Sequence, residues 1–253
     1  MRSQKLIASV SFTLAILFNQ IGSIPLALAI PNPTDNGNKQ TPPLPTVPPT
    51  RRPPAGNRTP GGGLDGEASI CPVKPQELTA ITPINAHGKT LAEHPTFWFY
   101  MPYTADEVAG GEFFILTEDE EQYVYQTSFK LPEQPGLISI TLPAEESASL
   151  QTGEYYHWYL NLSCAPDVTT ETDLNIDGWV QRVESTSAVG APDIDTSLDI
   201  WYDTVDFLAN QIQTSAVNGN NLSQLWTDLL ESVELEELTQ EPVVGPVVLA
   251  EDC

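Results

Sequence analysis

In the ten residues Tyr155–Cys164, YYHWYLNLSC, a large apolar side chain falls at every second position. Successive side chains of an extended chain point to opposite faces. Tyr156, Trp158, Leu160, Leu162 and Cys164 therefore share one face, and His157, Tyr159, Asn161 and Ser163 the other. A helix would scatter both sets around its axis, so the segment is predicted as a strand with one face in a core. ELTAITP, TFWFYMPY (Thr96 to Tyr103), GEFFILTE, QYVYQTSFKL and GLISITLP are similar runs of β-branched and aromatic residues, punctuated by Pro or Gly. Several short strands of this kind predict an antiparallel β-sandwich, immunoglobulin-like in architecture.

After residue 196 the period changes. Leu198, Trp201, Val205, Leu208 and Ile212 step by three and four, which predicts an amphipathic helix capped near Thr196 or Ser197. A second stripe, Leu222, Leu225, Trp226, Leu229, Leu230 and Val233, predicts another helix capped by Asn220 or Asn221. The fold class is therefore α+β, with a C-terminal helical pair over about 193–240. Such stripes ordinarily face the core of their own domain; a partner-binding groove that includes Trp226 is the alternative.

The start of the chain reads as a secretory signal. Arg2 and Lys5 precede the apolar run Leu6–Phe18, and the small residues Ala27 and Ala29 mark a cleavage site, so 1–29 is predicted as a cleaved signal peptide. Residues 30–66, rich in Pro, Gly and polar side chains, are expected to form a disordered linker, because they have little to bury against the entropy of ordering. The domain is expected over 67–253. No second apolar stretch is long enough to span a membrane.

Charge narrows the partners. The chain has 10 Lys and Arg against 34 Asp and Glu, and from Glu67 onward its only cations are Lys74, Lys89, Lys130 and Arg182. Such a surface repels phosphate backbones, which argues against nucleic acid. Export permits a disulfide among Cys71, Cys164 and Cys253. Cys71–Cys164 is preferred because both flank strand-like text, while Cys253 ends a Pro-rich tail; spacing leaves pairing through Cys253 open.

One string matches a known metal loop. In DLNIDGWVQRVE, Asp173, Asn175 and Asp177 stand at positions 1, 3 and 5 of an EF-hand loop. Gly178 is at the turn, Trp179 would give its carbonyl at position 7, and Glu184 would be bidentate at position 12. The flanking text is not helical, however, and a strand accounts for the same letters. Asp173, Asn175 and Asp177 would then point to solvent, and Leu174, Ile176 and Val180 to the core. The strand is the preferred reading, and calcium the alternative. The histidines His87, His94 and His157 have no metal-like spacing, and the acids of TEDEEQ (117–122) read as a solvated hairpin loop.

No G-x-S-x-G, phosphate-binding Gly-rich loop or H-E-x-x-H occurs. The aromatic strands offer a different chemistry, a platform for a glycan or peptide. Tyr103 and Tyr159 are its first candidates by alternation.

ELTAITP, HPTFWFYMPY, YYHWYLNLSC, GWVQRVE, IWYDT and LWTDLLESVELEELTQEPVV, in this order behind a signal and a Pro/Gly linker, resemble a family of exported cyanobacterial proteins known as domain of unknown function 928. The resemblance covers about residues 70–244. It implies an exported β-rich domain with a helical C-terminal part, and it carries over no activity, cofactor or site residue. The combined expectation is an exported cell-envelope protein, periplasmic or extracellular. It would act as a non-catalytic binding module for an envelope protein or glycan, without a cofactor. A calcium-stabilised module on Asp173–Glu184 and an envelope hydrolase are the alternatives.

Overall fold

The computed structural model describes residues 53–61, 71–164, 174–184, 199–214 and 219–249, all within one unit. The predicted signal peptide, most of the predicted linker, Asp173, the predicted cap positions Thr196 and Ser197, and Cys253 lie outside the described residues.

The predicted strands form. In chain order they are β1 (Thr79–Ala80), β2 (His87–Thr90), β3 (Thr96–Met101), β4 (Gly110–Thr117), β5 (Tyr123–Lys130), β6 (Gly136–Thr141), β7 (Tyr155–Ser163) and β8 (Leu174–Arg182). Helices α1 (Trp201–Thr214) and α2 (Gly219–Glu231) follow, then the short strands β9 (Val243–Pro246) and β10 (Val248–Leu249). One sheet has the order β1-β3-β6-β9, the other β10-β5-β4-β7-β8-β2.

Both sheets are mixed, which corrects the antiparallel expectation. β2 pairs in parallel with β8, and β9 in parallel with β6. A parallel neighbour needs a long connection rather than a hairpin. Both pairs have one: β2 is separated from β8 by five strands, and β9 returns to β6 only after both helices. The remaining pairs are antiparallel.

The inner faces of the two sheets share one core. Phe97, Phe99 and Met101 of β3 and Ile138 and Ile140 of β6 meet Phe113, Ile115, Trp158, Leu160, Ile176 and Val180 of the larger sheet. Phe97 and Phe113 have ring centroids 5.2 Å apart, and Phe99 meets Trp158 edge-on at 5.6 Å. Burying each such side chain stabilises the fold by about 2–3 kcal/mol. Gly178 sits opposite Trp158 in the register, where a Cβ would lie 2.3 Å from the indole and 2.5 Å from the Ala86 carbonyl. The glycine thus makes room for Trp158 and for the approach of the chain entering β2.

β3 is buried on both faces, which explains its unbroken apolar text. Its outward residues Trp98 and Tyr100 pack with Leu137 against Trp201, Val205 and Leu208 of α1 and Trp226, Leu229 and Leu230 of α2. Two of these indole N–H groups have protein acceptors: Trp98 donates to Asp206 (3.0 Å) and Trp201 to the Ile81 carbonyl (2.8 Å). Trp226, a candidate for a partner groove, is therefore core, because its stripe covers the small sheet. Tyr103, a candidate platform residue, is also buried, in the main core beyond the end of β3. Tyr202 links the layers: Trp158 donates to its hydroxyl (2.7 Å), which donates to the Trp179 carbonyl (3.1 Å). The Cys71–Cys164 disulfide forms and ties the chain ahead of β1 to the end of β7.

Candidate functional site on the outer face of the large sheet

Helices cover the outer face of the small sheet, and the outer face of the large one carries the polar chemistry. The alternate residues of β7 and β8 that the core does not use lie here. The register sets Tyr159 beside Asp177, His157 beside Trp179 and Asn161 beside Asn175. DLNIDGWVQRVE is thus a strand over Leu174–Arg182. Extended geometry separates Asp177 from Arg182 by about 16 Å, so the oxygens that an EF-hand loop would gather are spread along β8. Its Trp179 carbonyl already accepts from Tyr202. Among the described residues, no three of His, Cys, Asp and Glu converge as a metal would require.

The expectation that Asp177 faces solvent is corrected. The carboxylate is buried, because the chain at 53–61 runs over it. The Asn57 side chain and backbone N–H both donate to Asp177 Oδ1, at 2.8 and 3.2 Å. The Asp177 N–H donates to the Asn57 carbonyl, and the Gly56 N–H to that of Asn85. At Gly56 an added Cβ would sit 2.6 Å from the Asp177 carbonyl, so only glycine allows this approach. Arg58 pins the segment by donating to the carbonyls of Val233 (2.6 Å), Glu234 (3.1 Å) and Thr82 (3.3 Å). Burial lowers the Arg58 pKa despite the nearby Glu234 and Glu237. Residues 53–61 of the expected linker therefore form an ordered strap.

His157 lies on the outward face, as the alternation predicts, yet it too is buried. Nε2 is 2.8 Å from Asp177 Oδ2, and Nδ1 is 2.7 Å from Glu120 Oε1 and 2.9 Å from the Tyr159 hydroxyl. Trp179 stacks on the ring at 4.0 Å. As an imidazolium, the ring donates to both carboxylates. As a neutral ring with Nε2–H toward Asp177, it accepts from Tyr159. Glu120 reaches it from the β4–β5 hairpin by adopting φ 60°, a left-handed conformation unfavourable to a Cβ-bearing residue.

Burial alone would raise the Asp177 pKa, but the bonds from His157 and Asn57 outweigh it and hold the carboxyl below its ordinary value. Burial, with the charges of Glu120 and Asp177, raises the Tyr159 phenol well above its ordinary value. Tyr159 therefore stays protonated. The Asp177–His157–Tyr159 alignment orders the face.

Around this cluster the rings form a row across five strands. Tyr123 and Phe114 are 5.7 Å apart, Phe114 and Tyr159 are stacked at 5.0 Å, and Tyr159 and His157 are 4.2 Å apart. Trp179 follows, then His87 at 6.2 Å. The row changes character along its length. His157 and Trp179 are buried, Phe114 and Tyr159 are partly exposed, and Tyr123 is 62% exposed. One same-face step along the strands, about 7 Å away, lie Glu112, Asn161 and Asn175, with Gln126 opposite Phe114. Gln126 donates to Glu112 (2.6 Å), and Asn175 to Asn161 (2.5 Å).

At the buried end, the strap and the β4–β5 hairpin bound an open cleft of about 830 Å³ lined by Pro53, Pro54, Glu118, Asp119, Glu120, Glu154 and Trp179, among others. Of the other histidines, His87 meets the Pro54 carbonyl (2.5 Å) and His94 that of Glu145 (3.2 Å). The site thus retains Tyr159, Asp177 and Trp179 from the sequence candidates, with Asn175 at its border. Glu184 follows β8 and joins no part of the site. Sequence reasoning missed Asn57, Phe114 and Glu120. Phe114 was accessible through parity, since it alternates with Phe113 and Ile115; Asn57 and Glu120 enter through long-range folding, which leaves no periodic signal.

A family model described as Domain of Unknown Function (DUF928) matches residues 54–243, from the strap to the start of β9. No curated protein matches the chain.

Proposed function

The chain belongs to the DUF928 family, and from that premise we propose that the domain is a non-catalytic, exported binding module of the cell envelope that holds a glycan along the outer face of its large sheet. The two facing sheets are read as a β-sandwich with immunoglobulin-like layering, modified by its two parallel pairs. Export rests on the signal-like Met1–Ala29 text and on the disulfide, which is at home in an oxidising compartment.

The single observation that carries the glycan reading is the exposed arm of the ring row, Tyr123, Phe114 and Tyr159, bordered by amide and carboxylate side chains. A pyranose presents C–H-rich faces that lie flat on aromatic rings and equatorial hydroxyls that hydrogen-bond at its rim. Rings and amides one same-face step apart suit both at once. The rings are also held rigid by stacking and by the bonds around His157, so little conformational entropy is lost on binding.

Affinity electrophoresis through gels containing neutral polysaccharides tests the reading. The expected result is retardation of the wild-type domain by at least one polymer, lost in Tyr159→Ala and Phe114→Ala. Equal retardation of all three proteins, or none in any gel, would reject it.

A further inference from the structure

The central strands of the large sheet carry two rows on their outer face. The first is the exposed arm of the ring row, with Phe114 and Tyr159 stacked side by side. One same-face step away, about 7 Å, Ser128, Glu112, Asn161 and Asn175 stand in line on β5, β4, β7 and β8. The hydrogen bonds of this second row run outward from its middle. Glu112 Oε1 accepts from the Gln126 amide on the β5 side (2.6 Å), and Asn161 Oδ1 accepts from the Asn175 amide on the β8 side (2.5 Å). Glu112 and Asn161 are themselves direct cross-strand neighbours, with Cβ atoms about 4.5–5.5 Å apart. Among the described residues they nevertheless share no hydrogen bond, and no Lys or Arg pairs with Glu112. The carboxylate therefore keeps Oε2 as an acceptor, and the amide keeps its Nδ2 hydrogens as donors. Both side chains are partly exposed, so a ligand on the rings can reach them.

Two adjacent hydroxyls of a hexose supply what this pair lacks. One O–H donates to Glu112, and the neighbouring oxygen accepts from Asn161. The bond to the carboxylate is charge-assisted and so the stronger of the two. Gln126 and Asn175 hold the acceptor and the donor from their far sides before a ligand arrives, which limits the entropy lost on binding. Stereochemistry matters because the sugar rests on the rings. Equatorial hydroxyls extend in its mean plane toward the second row, whereas an axial one points out of that plane. We propose that Glu112 and Asn161 are the specificity-determining pair of this surface, selecting glycans with two adjacent, free, equatorial hydroxyls. The inference rests on the glycan reading above and names the sugar class that the platform takes.

The test titrates the full chain with three β-1,4-linked oligosaccharides of equal length. One is a glucose oligomer, whose free 2- and 3-hydroxyls are both equatorial. The second is a mannose oligomer, whose 2-hydroxyl is axial, and the third is the glucose oligomer methylated at both hydroxyls. The expected result is binding of the glucose oligomer at least about tenfold tighter than of either other, the effect of one charge-assisted hydrogen bond. Glu112→Ala/Asn161→Ala abolishes the preference and brings the glucose oligomer down to the affinity of its methylated form. Glu112→Gln, which keeps the shape and removes the charge, weakens the glucose oligomer severalfold; if the paired variant does not fold, this one decides alone. A preference that survives these substitutions would overturn the proposal. Equal affinity for the three oligomers, lost in Phe114→Ala/Tyr159→Ala, would reject the pair and leave the platform standing. Binding that is indifferent to the rings would reject both. Absence of binding by all three would reject the pair, and the gel retardation above then decides separately on the platform.

Discussion

The two faces of the large sheet are built from alternate residues of the same strands, yet they are stabilised by different forces. On the inner face Trp158, Leu160, Ile176 and Val180 are almost fully buried among other apolar side chains. One residue along, His157, Asp177 and Trp179 are buried nearly as deeply, but among carboxylates, amides and a strap of backbone. The inner face gains stability from area removed from water. The outer face gains it only where every polar group finds a partner, since an unpaired one costs more than its bond contributes. Burial by itself therefore does not mark the core of this protein.

The comparison predicts a graded response. The largest loss is expected on the inner face: Trp158→Ala removes an indole from a closed core and the donor to Tyr202, at a cost of about 4 kcal/mol in denaturant melts. Asp177→Asn comes next, at about 3 kcal/mol, because it removes a buried carboxylate that accepts from His157 and Asn57. If the outer face behaved as an ordinary solvated surface, the cost would fall below about 0.5 kcal/mol.

The same variant carries a pH signature. The folded-state pKa of Asp177 lies below its ordinary 3.8, so its contribution is fully present above that value and lost as pH falls through the folded one. The stability gap between wild type and Asp177→Asn therefore closes only in acid. A gap that widened in acid would reverse the sign assigned here.

Two smaller effects separate the parts of the outer face. Arg58→Ala releases three carbonyls and loosens the strap, costing about 2 kcal/mol. Glu120→Gly and Glu120→Ala both lose the bond to His157, but only glycine relieves the left-handed backbone. The glycine variant is expected to be about 1 kcal/mol the more stable of the two in thermal melts.

Much of this architecture is legible in local text. The period-two alternation of Tyr155–Cys164 gave both faces of β7, and the three-four stepping placed the helices and their stripes. The preferred disulfide formed. What was not legible depends on partners distant in sequence. β2, HGKT, has little strand propensity and forms because β8 offers a parallel edge. β9 and β10 lie in text that reads as a Pro-rich tail. Asp177 looked like a solvent-facing acid because nothing in its neighbourhood announces Asn57, 120 residues away. Tyr103 and Trp226 looked available because alternation assigns a face but not what covers it. The strap resembled disordered linker in composition, and Gly56, Asn57 and Arg58 are the residues that hold it in place.

The central claim is that the outer face is a binding surface whose exposed rings recognise while its buried cluster supports. The most direct measurement pairs two readouts on Phe114→Ala/Tyr159→Ala: a thermal melt, and a titration with whichever polysaccharide retards the wild type. The account predicts a melt within a few degrees of wild type, since both rings are only partly buried, and affinity at least about thirtyfold weaker, as loss of a binding hot spot entails. Unchanged affinity with the rings gone would contradict it.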